Sequence, residues 1–330
     1  MNILLVHSTM GYHGGPEELL LNLNRHLWEY GCPTRTITER SFLKLYLEVR
    51  RNLSWADVVC AISFPSTLTI YPFCNKPAIW ICNELPETFY RWYKVPLFKL
   101  NEHVWRDKCL ICSNKVDADE VSRKYKVSHV IPFGVDWDFY SYGIRRMNHE
   151  FNIVQVGYIG RYKDQLTTLD IFSALLSKIP EARLILAGPK VPSGTGPLYW
   201  DRVVEKVKSL GLDGKVTMTG QLSREEVRNY LYMSDVFIHP VTGTGGWLAP
   251  FEALSTGLPV VVSTKFYGKE FLDGFGVVTE DYVDALCDVY LNRERYNEMA
   301  RRGSEWVKYN FTWKHYTRKV LEVLRETCEL

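Results

Sequence analysis

The sequence predicts an α/β protein built as two similar domains, each a parallel sheet covered by helices on both faces. Short β-branched runs alternate with longer stretches of helical period, the pattern of strand–helix–strand units with crossover helices. The chain has 330 residues, long for one core and comfortable for two of ordinary size. Each half also opens in the same way, with a strand, a glycine-containing turn and a helix.

In the first half, strands are expected at Ile3–His7, Val58–Ile62, Ala78–Cys82 and Lys108–Cys112. Leu19, Leu23 and Leu27 recur every four residues and mark a helix, with Gly31 placed to end it. In the second half, strands are expected at Asn152–Ile159, Arg183–Ala187, Lys215–Thr219, Val236–His239 and Val260–Ser263. Leu169, Phe172 and Leu176 repeat the helical theme, as do Glu225–Tyr232 and Glu294–Lys308. Between residues 138 and 151 the chain is polar and without period, through Ser141-Tyr142-Gly143 and Ile144-Arg145-Arg146-Met147-Asn148-His149, so a linker is placed there. The expected domains are residues 1–142 and 151–311, with 312–330 forming a final helix.

Composition sets broad limits. Hydrophobic residues make up 46% and charged residues 24%, a soluble globular profile. The net charge of +2 neither demands nor excludes an anionic partner, and it argues against a nucleic-acid-binding role. The first apolar run spans only Ile3 to Val6, too short for a signal sequence or a membrane span. No other stretch reaches the length of a spanning helix, so a cytoplasmic location is expected, with peripheral membrane contact compatible with it. Residues 89–108, FYRWYKVPLFKLNEHVWRDK, interleave aromatics with cations. Such a face can rest on anionic lipid headgroups, and a partly buried helix with solvated lysines explains it equally. Of the eight cysteines, Cys60, Cys82, Cys109 and Cys112 fall in apolar runs and read as small hydrophobes. Cys109 and Cys112 have CxxC spacing, but there is no second pair at zinc-site spacing, and a buried strand is the default.

Several segments have the residues for phosphate or sugar chemistry. Gly11-Tyr12-His13-Gly14-Gly15-Pro16 follows the first strand directly. Gly14 and Gly15 let the backbone approach a ligand, and a helix starting at Pro16 offers free N–H groups to a phosphate. An ordinary turn fits the same residues, and Glu17-Glu18 would repel a phosphate. Gly157-Tyr158-Ile159-Gly160-Arg161-Tyr162-Lys163-Asp164-Gln165 brings two cations to the carboxyl end of a strand, where open α/β sheets bind ligands. Arg161 can grip a diphosphate with its fork and Lys163 adds a compact charge, both useful where negative charge builds on a leaving group. A solvated basic turn is the alternative. A glycine-rich loop, Thr242 to Gly246, precedes a short helix carrying Glu252, placed to accept from two ribose hydroxyls or simply to face solvent. Asp136-Trp137-Asp138 spells a D-x-D metal pattern, but its context, Pro132-Phe133-Gly134-Val135-Asp136, fits a structural segment better. His7 and His239 each end a strand, where a core role competes with one at a site.

Strand, glycine loop, Pro250-Phe251-Glu252-Ala253-Leu254 and Gly257-Leu258-Pro259-Val260-Val261 together resemble the donor-site block of family-4 retaining glycosyltransferases. That block carries two glutamates and ends in E-A-x-x-x-G-x-P-V. The resemblance continues along the chain in order. Gly14-Gly15 is similar to the family's N-domain glycine pair. Val130-Ile131-Pro132-Phe133-Gly134-Val135-Asp136 resembles its V-I-P-N-G-V-D segment, and Gly160-Arg161 with Lys163-Asp164-Gln165 its G-R…K-D/G block with a shortened spacer. Leu186-Ala187-Gly188 resembles a C-domain strand closing in glycine, and Phe311-Thr312-Trp313 the F-S-W start of the last helix.

The resemblance implies the GT-B fold, two Rossmann-like domains facing each other across a cleft, with the last helix crossing back to the N-terminal domain. It implies an N-terminal acceptor-binding domain and a C-terminal domain that holds a UDP- or GDP-sugar as co-substrate, with no metal and no further cofactor required. Arg161 and Lys163 would hold the diphosphate as it leaves, helped by Gly14, Gly15 and the backbone at Trp247 and Leu248. Glu252 would hold the ribose, Thr244, Gly245 and Gly246 the donor sugar, and the backbone near Gly220, Gln221 and Leu222 the base. The acceptor would be a hydroxyl of a glycan, glycolipid or other small molecule, lipid-linked acceptors included. Two positions depart from the pattern. Thr244 stands where the family has its first glutamate, and it cannot carry charge. Asn83 stands where the family often has a histidine, leaving the adjacent Glu84 to take an acid/base role. These departures keep two other readings open: a catalytically degenerate nucleotide-binding or protein-interaction module, and a sugar-nucleotide epimerase.

Overall fold

The computed structural model describes residues 1–8, 15–62, 64, 66–71, 75–82, 95–143, 150–190, 197–243 and 248–329. These divide into two compact units, Met1–Gly134 with Phe311–Leu330, and Val135–Asn310.

The first unit runs β1 (Ile3–His7), α1 (Gly15–Glu29), β2 (Thr34–Thr38), α2 (Phe42–Asn52), β3 (Val58–Ile62), a 3-10 turn (Ser66–Ile70), β4 (Ala78–Cys82), α3 (Val95–Trp105), β5 (Cys109–Cys112), α4 (Lys115–Val121) and β6 (Val127–Val130). Its six strands are parallel in the order β2-β1-β3-β4-β5-β6. Every residue of β1, β3 and β4 is buried, as continuous apolar runs require when both faces of a parallel sheet are covered. Gly31, at φ +72°, turns the chain out of α1 as its position predicts. Cys109 and Cys112 both lie in β5. Three residues apart on a strand, they point to opposite faces and cannot share one metal ion.

The second unit runs β7 (Phe151–Val156), α5 (Gln165–Leu176), β8 (Ala182–Ala187), α6 (Pro197–Ser209), β9 (Val216–Met218), α7 (Arg224–Met233), β10 (Val236–His239), α8 (Leu248–Ser255), β11 (Val260–Val262), β12 (Val277–Val278), α9 (Tyr282–Leu291) and α10 (Arg293–Asn310). Its sheet is also parallel, ordered β12-β11-β10-β7-β8-β9. Phe151, Ile153, Leu184, Leu186, Val236 and Ile238 supply its core, against which Leu169, Phe172 and Leu175 of α5 pack. The last helix, α11 (Trp313–Glu329), belongs to the first unit, with an apolar stripe of Trp313, Tyr316, Val320 and Leu324.

The division falls between Gly134 and Val135, not at the expected 142. Residues 135–143 belong with the second unit because their aromatics are held there. Trp137 Nε1 donates to the Ser304 carbonyl at 3.1 Å, and the Tyr232 hydroxyl donates to the Ser141 carbonyl at 2.7 Å. Phe139 faces the guanidinium groups of Arg224 and Arg228, each 4.5 Å from its ring. Polarity and missing period suggested a linker, but cation–π and hydrogen-bond anchoring leaves neither mark in a hydropathy pattern. The second break also shifts by one residue, with Phe311 in the first unit. Residues 144–149 lie outside the described residues.

Candidate functional site

Both sheets have a point where the strand order reverses. In the second unit the chain runs outward from β7 through β8 to β9, then returns to β10 on the other side of β7. A crevice forms outside the carboxyl ends of strands at such a point, between the loops after β7 and β10. The loop after β7 carries Arg161 and Lys163, and the loop after β10 leads into α8 with Glu252.

The loop after β7 is held by a buried polar network. Gln155 Nε2 donates to the Lys163 carbonyl at 2.5 Å, and Gln155 Oε1 accepts from the Thr168 hydroxyl at 2.8 Å. Gln165 bridges the same loop, donating to the Tyr158 carbonyl at 3.0 Å and accepting from the Gly160 amide at 3.3 Å. Asp164 sits in the left-handed region at φ 49°, tolerable for an aspartate, and its carboxylate accepts from the Thr167 hydroxyl at 2.8 Å. The main chain thus reverses in a 3-10 turn, Arg161–Lys163, just before α5. Every polar atom of this turn that is named here is bonded to its own scaffold, which fixes where the two cations stand.

Arg161 is exposed, whereas Lys163 is only 8% exposed. Room for the lysine stem comes from Gly157, at φ +145°, where an added Cβ would stand 2.9 Å from Lys163 Cε. The Lys163 ammonium lies 5.4 Å from the Tyr158 ring centroid. Burial pulls its pKa down from 10.5 to about 8, and the negative charge of Glu252 works in the opposite direction. The fold therefore brings Lys163 and Glu252 into electrostatic reach of each other. A desolvated ammonium facing a single carboxylate is a ready partner for a further anion such as a phosphate.

The remaining expected donor residues fall on the same edge of the sheet where they are described. Leu248 opens α8 and is half-buried. Gly220, at φ +73°, bridges Gly188 just beyond β8 and β9, followed by exposed Gln221 and half-buried Leu222. Thr244, Gly245, Gly246 and Trp247 lie outside the described residues, as do Gly14, Asn83 and Glu84. Gly15 is the exposed first residue of α1. His239 ends β10, buried between Phe237 and Phe266 at ring distances of 6.0 and 5.0 Å. Asp136 of the D-x-D pattern pairs with Arg224 at 3.1 Å.

In the first unit the strand order reverses between β1 and β3. His7, at the end of β1 and buried, stands at that point. Its Nδ1 lies 3.2 Å from the Ile62 carbonyl of β3 and its Nε2 lies 3.2 Å from Glu17 of α1. Sequence reasoning left His7 undecided and read Glu17 only as a charge that would repel phosphate. The pairing of a strand-end histidine with a first-turn glutamate was the available signal. The described part of residues 89–108 is α3, which turns Phe98, Asn101 and Trp105 inward and leaves Lys99, His103 and Arg106 exposed.

Two units, each a six-stranded parallel sheet with helices and a ligand crevice at the strand reversal, define a GT-B protein of paired Rossmann-like units. The second unit belongs to the glycosyl transferases group 1 family, whose model matches residues 144–306. Among curated proteins, the chain is 25% identical over 223 residues to the mannosylfructose-phosphate synthase of Agrobacterium fabrum, covering 62% of this chain and 49% of that one. It is 26% identical over 224 residues to the D-inositol 3-phosphate glycosyltransferase of Mycolicibacterium smegmatis, covering 62% and 50%. The chain thus spans about half the length of these curated relatives. Among solved structures, Anabaena HepE in complex with UDP and glucose superposes with a TM-score of 0.81 over 99% of this chain and 100% of that one, at 15% identity. At that identity the likeness is one of fold.

Proposed function

We propose that this chain is a retaining glycosyltransferase of the family-4 kind, moving a sugar from a UDP- or GDP-sugar to an acceptor hydroxyl. The observation that carries the reading is Lys163, a nearly buried ammonium at the strand reversal, facing Glu252. Burying a charge is costly unless an anion compensates it, and a donor diphosphate is the anion this position suits. In the proposed reaction the bond between the anomeric carbon and the diphosphate oxygen breaks and a bond to the acceptor oxygen forms. The acceptor's proton passes to the departing phosphate, so the protein supplies charge more than it supplies a base. Arg161 and Lys163 stabilise the diphosphate as it leaves, Glu252 accepts from the ribose hydroxyls, and the amides at Trp247 and Leu248 meet the phosphate. Thr244, Gly245 and Gly246 face the donor sugar, Gly220 to Leu222 the base, and Gly14 and Gly15 the diphosphate. Asn83 and Glu84 act on the acceptor side. The acceptor is a hydroxyl of a glycan, glycolipid or other small molecule, taken by the first unit.

The test is release of free sugar and nucleoside diphosphate from candidate donors, with and without alcohol acceptors. Arg161→Ala is expected to lower kcat more than it raises KM, because its charge matters most in the transition state. Thr244 favours a second reading, a nucleotide-binding module without turnover. Tight nucleotide binding with neither hydrolysis nor transfer from any donor would select that reading. Conversion of a sugar nucleotide to its epimer with no acceptor present would select an epimerase.

A further inference from the structure

Helix α2 carries a feature that nucleotide chemistry does not use. Leu45 and Val49 alone form its buried stripe. On its outer side Phe42, Leu43 and Leu47 are 42%, 66% and 47% exposed, and Leu43 and Leu47 stack one turn apart. Tyr71, also exposed, is held beside this helix because the Arg50 guanidinium donates to the Tyr71 carbonyl at 2.8 Å. The other large exposed apolar residues are more scattered. Here four fall together on one face of the unit. From Arg40 to Asn52 the chain carries four cations, Arg40, Lys44, Arg50 and Arg51, against one carboxylate, Glu48. Exposed Lys44 and Arg51 flank the Leu43–Leu47 ridge on the helix surface.

We propose that this face of α2 docks the protein on an anionic membrane surface. A surface helix with leucine and phenylalanine outward and lysine and arginine at its flanks meets both requirements of interfacial binding, apolar insertion and attraction to acidic headgroups. The ridge is convex, so it suits a flat, deformable partner that requires no matching pocket. At 11 residues the helix is too short to span a bilayer, and no described helix is long and apolar enough to do so. The surface expected from sequence, residues 89–108, fits less well where it is described, because α3 turns Phe98 and Trp105 into the core. This inference does not rest on the transferase reading, since docking needs no nucleotide.

The test is co-sedimentation of the full chain with vesicles of phosphatidylcholine alone and of equal parts phosphatidylcholine and phosphatidylglycerol. Binding to the anionic vesicles only, falling as salt rises, is the expected result. Leu43→Glu with Leu47→Glu, and separately Lys44→Glu with Arg51→Glu, should each weaken it at least about twentyfold, since each cation near such a surface contributes roughly fivefold. All four positions are exposed, and unchanged melting temperatures would show that the variants fold. Absence of binding to anionic vesicles, or equal binding by both variants, overturns the proposal. A dimer seen by light scattering and dissolved by Leu43→Glu with Leu47→Glu, without vesicle binding, assigns the ridge to a second copy and overturns it as well.

Discussion

Lys163→Met separates what the buried ammonium costs from what it does. The fall of its pKa from 10.5 to about 8 corresponds to about 3 kcal/mol of net penalty for keeping the charge in the folded protein at neutral pH, with the attraction of Glu252 already included. Because the folded value lies below the unfolded one, the unfolded chain binds more protons between pH 8 and 10.5. Stability of the native protein therefore rises with pH across that window, and the penalty is fully present below pH 8. Methionine fills a similar volume without charge, so the variant should be more stable than the native chain by up to about 3 kcal/mol at about pH 7. The two should converge as pH approaches the unfolded value. Urea denaturation of both proteins at several pH values reads this difference directly. The same variant should lose nucleoside-diphosphate affinity, and in the native protein that affinity should fall about tenfold per pH unit once Lys163 deprotonates. A methionine variant less stable than the native chain at neutral pH, or a stability difference that does not change with pH, would refute the reasoning.

Gly157→Ala should destabilise the protein by about 1–3 kcal/mol and displace the Lys163 stem, because φ +145° is strained for any side chain and the new Cβ meets Lys163; thermal melting and nucleotide affinity should fall together. Gly134→Ala should cost about 3 kcal/mol or more, since its Cβ would overlap the backbone of Thr312 and Trp313 at the start of α11, atoms that cannot rotate away; a melting temperature within error of the native chain would contradict this. Asp117, buried at the start of α4, has its pKa raised to about 7 by burial, with Asn114 opposing. The folded state therefore holds more protons between pH 3.8 and 7, and stability falls as pH rises through that range. In Asp117→Asn that loss should vanish, leaving the variant the more stable at about pH 8 by at most about 4 kcal/mol in denaturation experiments.

The sequence revealed strands whose whole length is buried and concealed those that are not. β1, β3 and β4 are unbroken apolar runs, legible as central strands of a parallel sheet. β2 reads TRTIT and buries only Thr34 and Ile37, so its pattern resembles a loop, and it lies at the sheet edge. Helix α2 was missed for a related reason. Its exposed Leu43 and Leu47 are as apolar as its buried Leu45 and Val49, which erases the helical period that a soluble surface helix normally shows. At the site, residue types at the ends of β7 and β10 were enough to single out Arg161, Lys163 and Glu252. The burial of Lys163 was not legible, because it depends on Gly157 leaving room and on Gln155 holding the loop, both set by tertiary packing. The His7–Glu17 pairing was hidden likewise, since it joins the end of a strand to the start of the next helix.

The most direct test of the central claim is calorimetric titration of the purified chain with UDP, GDP and ADP, repeated with Glu252→Ala. Saturable binding of one of these nucleotides is expected, weakened at least about tenfold in the variant by loss of charge-assisted hydrogen bonds to the ribose. If none of them binds, or if Glu252→Ala binds as tightly as the native chain, the crevice at the end of β7 and β10 is not a sugar-nucleotide site.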